Sequence, residues 1–301
     1  MLDSGIRLHE PTDIHAAAVI YFEALFSAPS SLAIPVQSMD SFITKSISSG
    51  QAADLLKIVS PAEIKETIFR KKAEKAPGPD GFSASFFQKA WHIVGEEVTQ
   101  VVLHFFHTGR LLKELNHTSL TLVPKVPNPS TFRDFRPIAY CNFLFKCISG
   151  ILAARLKAIL PSLIDEAQTT FIPSRSMSSN IFIAQELFRN YHRPDTRSRC
   201  AINVDLHKSF DTVKWDFLME LLFKLGFPPC FIGWVRGCIT SPKYSINING
   251  EFVGFFGVTR GLRQGGPLSP YLFTIIMDAL SMLISKNIEV QRLAGNPFDY
   301  H

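Results

Sequence analysis

Residues 201–218, AINVDLHKSFDTVKWDFL, change from one hydrophobic period to another within a few positions. Apolar and polar residues alternate from 201 to 206, which predicts a half-buried strand with Asp205 on its polar side. From Phe210 the apolar spacing becomes helical and continues to Gly226, which predicts a helix that ends at this glycine. An aspartate at a strand end is a natural ligand for a hard divalent cation when it faces a cleft. Many such aspartates only cap the next helix, so this residue by itself leaves both interpretations open.

Capping residues and hydrophobic periodicity predict three more helices. Ser60 precedes Pro61, a residue that is favoured in the first helical position, and together they predict a helix that begins there. Asn142 precedes a long apolar stripe of helical spacing, which we expect Pro161 to end. Residues 14–26 have helical periodicity too, and a proline- and serine-rich loop follows them.

Strand and turn signals fill part of the remaining chain. Residues 119–137 join a short apolar run to a proline-rich basic segment, which predicts a strand followed by an extended loop. Asn249-Gly250 lies between two short apolar runs and is the strongest short signal for a hairpin. The glycine-rich loop TRGLRQGGPLSP comes next, and its Ser269-Pro270 pair predicts the start of another helix.

Composition limits the classes of protein that this chain can belong to. It has 301 residues, 46% of them hydrophobic, which is enough for a sizeable core. The net charge of +5 permits a nucleic-acid partner but does not require one. Five cysteines without a C-x-x-C pair indicate reduced thiols and not a disulfide framework or a zinc site. The sequence has no membrane-spanning run and no signal peptide, so we expect an intracellular protein of the nucleus or cytoplasm that is not secreted.

Several long segments together resemble one known family. In chain order they are KAPGPDGF, LVPKVPNPSTFRDFRPIAYCNFLFKCISGILAARL, TTFIPSRSMSSNIFIAQEL, VDLHKSFDTVKWDFL and GLRQGGPLSPYLF. Their order and spacing are similar to those of the reverse transcriptase domain of LINE-type (non-LTR) retrotransposons. Their amino-acid sequences most resemble those of plant elements. The similarity covers nearly the whole chain, because DIHAAAVIYFEALF also resembles the linker that precedes the polymerase in such elements. A group II intron maturase is a related alternative. The linker-like start of the chain and the motif DFRPIAYCNFLFK favour the LINE-type family over it.

The resemblance implies roles for two residues of the opening stretch. Asp205 matches the first catalytic aspartate, which would bind the Mg²⁺ ions that activate the primer's 3′ hydroxyl. Phe210 matches the aromatic residue that lies under the incoming sugar and excludes a 2′-hydroxyl by its bulk. Asp211 is interpreted as a structural residue at the start of a helix and is given no metal.

The resemblance also implies contacts with the incoming nucleotide and with nucleic acid. Gln264 and Gly265 match the motif that contacts the nucleotide and template, where a glycine permits close approach of the backbone. Arg136 and Lys125 match positions where the fingers meet the nucleotide phosphates. Further candidates for contact with the nucleic-acid backbone are Arg263 and Arg175.

The sequence departs from the family pattern at the second metal-binding motif. The family supplies further metal ligands from an Ala-Asp-Asp hairpin, whereas these 301 residues contain no two adjacent aspartates. We therefore expect a chain truncated before that motif, with an incomplete Mg²⁺ site and no activity of its own. Three smaller departures concern local contacts in the active-site loop and the template-binding segment: Gly266 where aspartate is common, and Ser174 and Ser179 where glycine and aspartate are usual.

These expectations combine into one fold and three alternative functions. The fold class is α+β, a right-hand polymerase with fingers plus an incomplete palm. Its expected divisions are an N-terminal helical linker region (1–60), the fingers and fingers–palm segment (61–200) and a partial palm (201–301). The first function is an RNA-directed DNA polymerase domain that uses an RNA template, a DNA primer and deoxynucleotides, with no membrane partner. The alternatives are a non-catalytic RNA-binding remnant and a retroelement fragment without function.

Overall fold

The described part of the chain combines ten α-helices with one small mixed sheet. The computed structural model describes residues 7–27, 36–189, 203–240 and 242–293. Its strands are β1 (His117–Pro124), β2 (Phe135–Cys141), β3 (Lys243–Ile248) and β4 (Glu251–Gly257). They lie in the order β2-β1-β3-β4, with β1 parallel to β3 and the two outer pairs antiparallel. The predicted α+β class is confirmed.

The helices pack around one long central helix, α6. The bounds are α1 (Pro11–Ser27), α2 (Ser49–Leu55), α3 (Pro61–Phe69), α4 (Ala84–Lys89), α5 (Trp91–Thr108), α6 (Phe143–Leu163), α7 (Met177–Phe188), α8 (Trp215–Lys224), α9 (Pro229–Ile239) and α10 (Ser269–Leu293). Helix α6 contacts α2, α3, α5, α9 and α10, and its apolar stripe is buried among them. Within the described ranges, no helix has the length and apolar character that crossing a membrane requires.

Strand β2 was not predicted, since its proline and arginines indicated an extended loop. It is an edge strand of the sheet, where a proline is tolerated. The backbone N–H of Ala139 donates to Gln264 O at 2.7 Å, so it points away from β1. Successive residues of a strand direct their backbone groups to alternate sides. The nitrogen of Pro137, two residues earlier, therefore faces the same side as the N–H of Ala139. Its missing N–H therefore costs no hydrogen bond to β1.

The local signals for the hairpin and for the helix at Ser60 are confirmed. Asn249 and Gly250 have φ angles of +54° and +93°, and they connect β3 to β4. The Ser60 side chain accepts a hydrogen bond from the backbone N–H of Glu63 at 3.2 Å. Both signals depend on a few neighbouring residues, and so distant parts of the chain do not change them.

The prediction that Pro161 ends its helix is wrong by two residues. Helix α6 runs through Pro161 to Leu163. The side chain of Arg175 donates to the backbone oxygens of Pro161, at 2.9 Å, and Ile164, at 3.0 Å. These bonds satisfy carbonyls at the helix end that have no partner within the helix, and they support the last turn beyond the proline.

Two predictions for the segment around Asp205 are also wrong. Residues 203–206 form no strand, and the side chains of Val204 and Leu206 are exposed; positions 201 and 202 lie outside the described residues. A strand is stable only when a neighbour pairs with it, and no described strand lies beside this segment. Helix α8 begins at Trp215, not at Phe210, because residues 207–212 form turns. The predicted end is confirmed, since Gly226 follows the helix with a φ of +79°.

Helix α1, which lies in the predicted linker region, is attached to the glycine-rich loop. The Arg260 guanidinium donates to Leu25 O at 2.7 and 3.0 Å, and Thr259 N donates to Phe26 O at 3.1 Å. The ring of Phe26 also packs edge-on against Tyr244 of β3, with centroids 5.1 Å apart. The end of α1 therefore fixes the start of the loop against the sheet. The predicted domain boundaries remain predictions.

Candidate functional site

Three segments meet at the outer edge of the sheet, which β2 forms. They are the turn of residues 207–212, the central residues 261–268 of the glycine-rich loop, and β2 itself. Leu262 N donates to Phe210 O at 2.7 Å, and Gly261 N donates to Val213 O at 2.8 Å. On the other side of the loop, Ala139 N donates to Gln264 O at 2.7 Å. The loop is therefore held by backbone bonds to the turn and to the sheet, and it carries two predicted nucleotide-binding residues.

Gly265 has a conformation that explains why glycine occupies this position. Its φ of +97° is a value that other residues rarely adopt. A Cβ here would lie 3.5 Å from Ala139 O and 3.7 Å from Ile138 Cγ2, both ordinary contacts. The requirement for glycine is thus conformational, and the backbone lies against β2. The predicted contacts of Gln264 and Gly265 with a nucleotide remain predictions.

Asp211 is buried in this site, and its interpretation as a helix-start residue is wrong. It is only 2% exposed and precedes α8 by four residues. The Gln264 side-chain amide donates from Nε2 to Asp211 Oδ1 at 2.7 Å. Burial raises the pKa of Asp211 to about 6, against the opposing effects of the Gln264 hydrogen bond and the positive charges of Lys208 and Lys125. No local pattern predicts this contact, because the two residues are 53 positions apart.

Phe210 lies in the turn, with its ring half-buried. The ring stacks on that of Phe273 in α10, with centroids 4.3 Å apart and an interplanar angle of 25°. This contact fixes one face of the ring, and the partial exposure leaves area for another contact. The geometry is compatible with the predicted role under an incoming sugar, which stays a prediction.

Lys125 and Arg136 lie at the end of the β1–β2 pair where the chain connects the two strands. Arg136 is exposed and stands opposite Val123 in the register of the two strands. Lys125 N donates to Asp134 O at 2.7 Å, which closes the connection between the strands, and its ammonium donates to Arg133 O at 2.9 Å. Since the charge of Lys125 lowers the pKa of Asp211, the ammonium lies within electrostatic range of the site. The predicted phosphate contacts of both cations remain predictions.

The prediction that Arg263 contacts the nucleic-acid backbone is wrong in this structure. Arg263 is only 6% exposed, and its guanidinium points into the protein. It donates to Thr118 Oγ1 at 3.1 Å, to Cys238 O at 2.5 Å and to Asn116 O at 3.2 Å, and it also donates to Asn116 Oδ1. Its carbon Cζ lies 4.2 Å from the ring centroid of Phe145. Arg263 therefore joins β1, α6 and α9 as a buried structural residue.

Arg175 is half-buried and binds the end of α6. Besides its bonds to Pro161 and Ile164, the guanidinium donates to Gln168 O at 2.8 Å and to Asp165 O. All four acceptors belong to the end of α6 or to the turn after it. These carbonyls engage both terminal nitrogens of the guanidinium, and the predicted contact of Arg175 with the nucleic-acid backbone remains a prediction.

Asp205 lies in the exposed segment of residues 203–206. Among the described residues, no group of three or more histidine, cysteine, aspartate or glutamate side chains lies where it could hold a metal ion. A two-metal site needs several carboxylates around ions about 3.5–4 Å apart. The described residues therefore do not supply the ligand set of such a site, and the Mg²⁺ role of Asp205 stays a prediction.

Comparison with known proteins identifies the family to which this chain belongs. Residues 123–294, more than half of the chain, match the family described as "Reverse transcriptase (RNA-dependent DNA polymerase)". The matched range contains β2, the turn and the glycine-rich loop that form the site. The chain belongs to the reverse transcriptase family, whose members are generally metal-dependent.

The relatives identify the type of reverse transcriptase. The chain is 25% identical over 287 residues to the "Transposon TX1 uncharacterized 149 kDa protein" of Xenopus laevis, covering 95% of this chain and 22% of the relative. It is 27% identical over 219 residues to the Pol polyprotein of the Drosophila melanogaster retrotransposable element R2DM, covering 73% and 20%. It is 22% identical over 259 residues to the Pol polyprotein of element R1 from Bradysia coprophila, covering 82% and 25%. The chain thus carries the reverse transcriptase domain of the non-LTR retrotransposon Pol type and spans about a fifth to a quarter of these relatives' length.

Proposed function

We propose that this chain binds an RNA template, a DNA primer and an incoming deoxynucleotide as the fingers and part of the palm of an RNA-directed DNA polymerase. One observation carries the proposal. Short hydrogen bonds join the turn that contains Phe210 to the loop that contains Gln264. Lys125, at the end of β1, lies near enough to both segments for its charge to lower the pKa of Asp211. These three segments come from distant parts of the sequence, and each carries a residue matched to a nucleotide contact.

Each residue has a physical task in this proposal. Arg136 offers a forked guanidinium that suits phosphate oxygens, and Lys125, at the same end of the β1–β2 pair, adds a compact positive charge. Phe210 supplies a ring surface under the sugar, held in place by its stacking on Phe273. Gln264 supplies amide hydrogen bonds to the nucleotide or template, from a loop that the backbone fixes against β2.

Nucleotidyl transfer requires more carboxylates than the described residues bring together. Mg²⁺ is the cation that the family implies, and it would activate the primer hydroxyl and stabilise the leaving pyrophosphate. Asp205 is the residue we assign to it. Because the 301 residues contain no adjacent aspartate pair, we propose that this polypeptide binds its substrates but does not extend a primer by itself.

A specific observation favours non-catalytic RNA binding as the second candidate function. Lys146 is half-buried, and its pKa is lowered by burial and, to a smaller extent, by the neighbouring charges of Lys75 and Lys71. Lys146 Nζ donates to Ala76 O of the proline-rich turn that precedes α4, at 3.5 Å, and Asp80 of that turn supplies one opposing charge. A concentration of positive charge of this kind attracts phosphate without reading sequence.

Binding of a labelled RNA–DNA template–primer tests the proposal. We expect Arg136→Met to weaken binding about tenfold and to lower the slope of log affinity against log salt by about one, since one phosphate contact is lost. Lys125→Met should act in the same direction. Fluorescence anisotropy at several salt concentrations measures both quantities.

The matched control is Arg110→Met, at an exposed arginine that follows α5. It removes the same charge outside the site, so its affinity and salt slope should stay close to those of the unaltered chain. The proposal is contradicted if Arg136→Met and Arg110→Met behave alike, because binding would then reflect net charge alone.

A further inference from the structure

Asp211 is a buried carboxyl group to which the proposed function gives no task. Its backbone N–H donates to Lys208 O at 2.9 Å, which fixes it within the turn. Its side chain lies under the glycine-rich loop and accepts the 2.7 Å hydrogen bond from Gln264 Nε2. Burying a carboxylate is costly unless hydrogen bonds or charges compensate for it, so this placement calls for a physical account.

An ionised carboxylate fixes which way the Gln264 amide faces. A carboxylate only accepts hydrogen bonds, whereas a glutamine amide has an oxygen that accepts and a nitrogen that donates. The nitrogen of Gln264 must therefore face Asp211, as it does in the structure. The amide oxygen and the second N–H are then directed to defined positions away from Asp211.

The two side chains are held on segments that cannot easily separate. The turn and the loop are joined close to the contact by the bonds from Leu262 N to Phe210 O and from Gly261 N to Val213 O, whose acceptors flank Asp211. Gln264 is further fixed through its own backbone oxygen, which accepts from Ala139 N of β2. The amide orientation is thus part of a rigid arrangement and does not depend on a single flexible side chain.

The charged groups around Asp211 come from three elements. Lys208 in its own turn and Lys125 at the end of β1 both favour the ionised form. On the sheet side lies Tyr244 of β3, and the negative charge of Asp211 contributes to the raised pKa of that phenol. With a pKa of about 6, Asp211 is mostly ionised at pH 7.5 and mostly protonated at pH 5.

We propose that Asp211 is a positioning residue for the incoming nucleotide, which holds the Gln264 amide in one orientation so that its oxygen and second N–H face the nucleotide. This inference rests on the proposed function and deepens it. Asp211 does not touch the nucleotide and acts only through Gln264. When Asp211 is protonated it can donate to the amide oxygen, and the fixed orientation is lost.

Asp211→Asn tests the inference, because an asparagine amide can donate or accept and so accommodates both orientations of Gln264. The measurement is binding of a fluorescent deoxynucleoside triphosphate to the chain with a template–primer, from pH 5 to pH 7.5. We expect the unaltered chain to bind about tenfold more tightly than Asp211→Asn at pH 7.5, the size of one well-placed hydrogen bond. At pH 5 the two affinities should be nearly equal. Their ratio cancels the titration of the triphosphate itself.

A ratio that stays constant with pH, or an Asp211→Asn chain that binds like the unaltered one, overturns the positioning role. If the unaltered chain binds no nucleotide at any pH, the proposed function fails and this inference fails with it. Should Asp211→Asn not fold, the side-chain amide signal of Gln264 in a ¹⁵N–¹H spectrum, identified by its loss in Gln264→Met, provides the test. We expect this signal to shift with a midpoint near pH 6 in the unaltered chain, and a pH-independent signal contradicts the inference.

Discussion

Arg263→Met is expected to lower the free energy of unfolding by about 3 kcal/mol, because several buried acceptors lose their donor at once. The guanidinium bonds to Thr118 Oγ1, Cys238 O and both oxygens of Asn116, and it lies over the ring of Phe145. Methionine can fill much of the volume but offers no donor. Chemical denaturation followed by circular dichroism measures the change.

Arg136→Met is the matched control, since it makes the same substitution at an exposed arginine of β2. Substitutions at exposed positions usually change stability by less than about 0.5 kcal/mol. The two variants should therefore have opposite profiles, with Arg263→Met unstable and Arg136→Met stable but weak in template–primer binding. A stable Arg263→Met chain with weakened binding would restore the nucleic-acid role that the structure argues against.

Gly237→Ala is expected to lower the free energy of unfolding by about 2 kcal/mol, the cost of forcing an extra carbon into a packed interface. A Cβ at this position of α9 would lie 2.3 Å from Gly109 O and 3.2 Å from Phe105 Cε2. The first of these atoms belongs to the backbone that ends α5, so the two helices would have to move apart. The midpoint of urea unfolding measures the loss.

The neighbouring glycine of the same helix is the control. Gly233 is exposed, and a Cβ there would meet nothing within 4 Å. Gly233→Ala should therefore raise the free energy of unfolding by about 0.5–1 kcal/mol, because alanine is the better helix former. Equal effects from the two substitutions would show that α9 does not pack against the end of α5 in this way.

Features that depend on neighbouring residues could be predicted from the sequence. The Ser60 cap and the Asn249-Gly250 hairpin were predicted because their side chains or φ angles act within a few positions. The stripe of α6 was predicted because burial of one helix face imposes a period along the sequence. The end of that helix was misjudged, because the supporting donor, Arg175, lies in the segment beyond it.

Features that depend on distant partners could not be predicted. Residues 201–206 have an alternating pattern, yet a strand needs a pairing neighbour, and pattern alone does not supply one. The reverse holds for β2, where Pro137 argued against a strand until its edge position and outward direction were known. In the site, the resemblance matched Gln264 to a function, but its contact with Asp211 joins residues that are far apart in sequence.

The arginines show the same limit for electrostatics. Arg136 and Arg263 are alike in sequence, and each stands in a motif matched to substrate contact. They differ in burial, since Arg136 is exposed at the sheet edge and Arg263 is enclosed by neutral acceptors. A charge can therefore be assigned to solvent or to the core only when the packing around it is known.

Primer extension on an RNA template with Mg²⁺, measured beside template–primer binding, tests whether this chain binds its substrates without extending the primer. We expect salt-dependent binding by the 301-residue chain, because phosphate contacts release counterions. We expect no nucleotide incorporation, because these 301 residues contain no pair of adjacent aspartates that could complete the metal site of Asp205. Incorporation that disappears in Asp205→Asn would contradict the incomplete site. Absence of salt-dependent binding would contradict the role of this chain as the nucleic-acid-binding part of a reverse transcriptase.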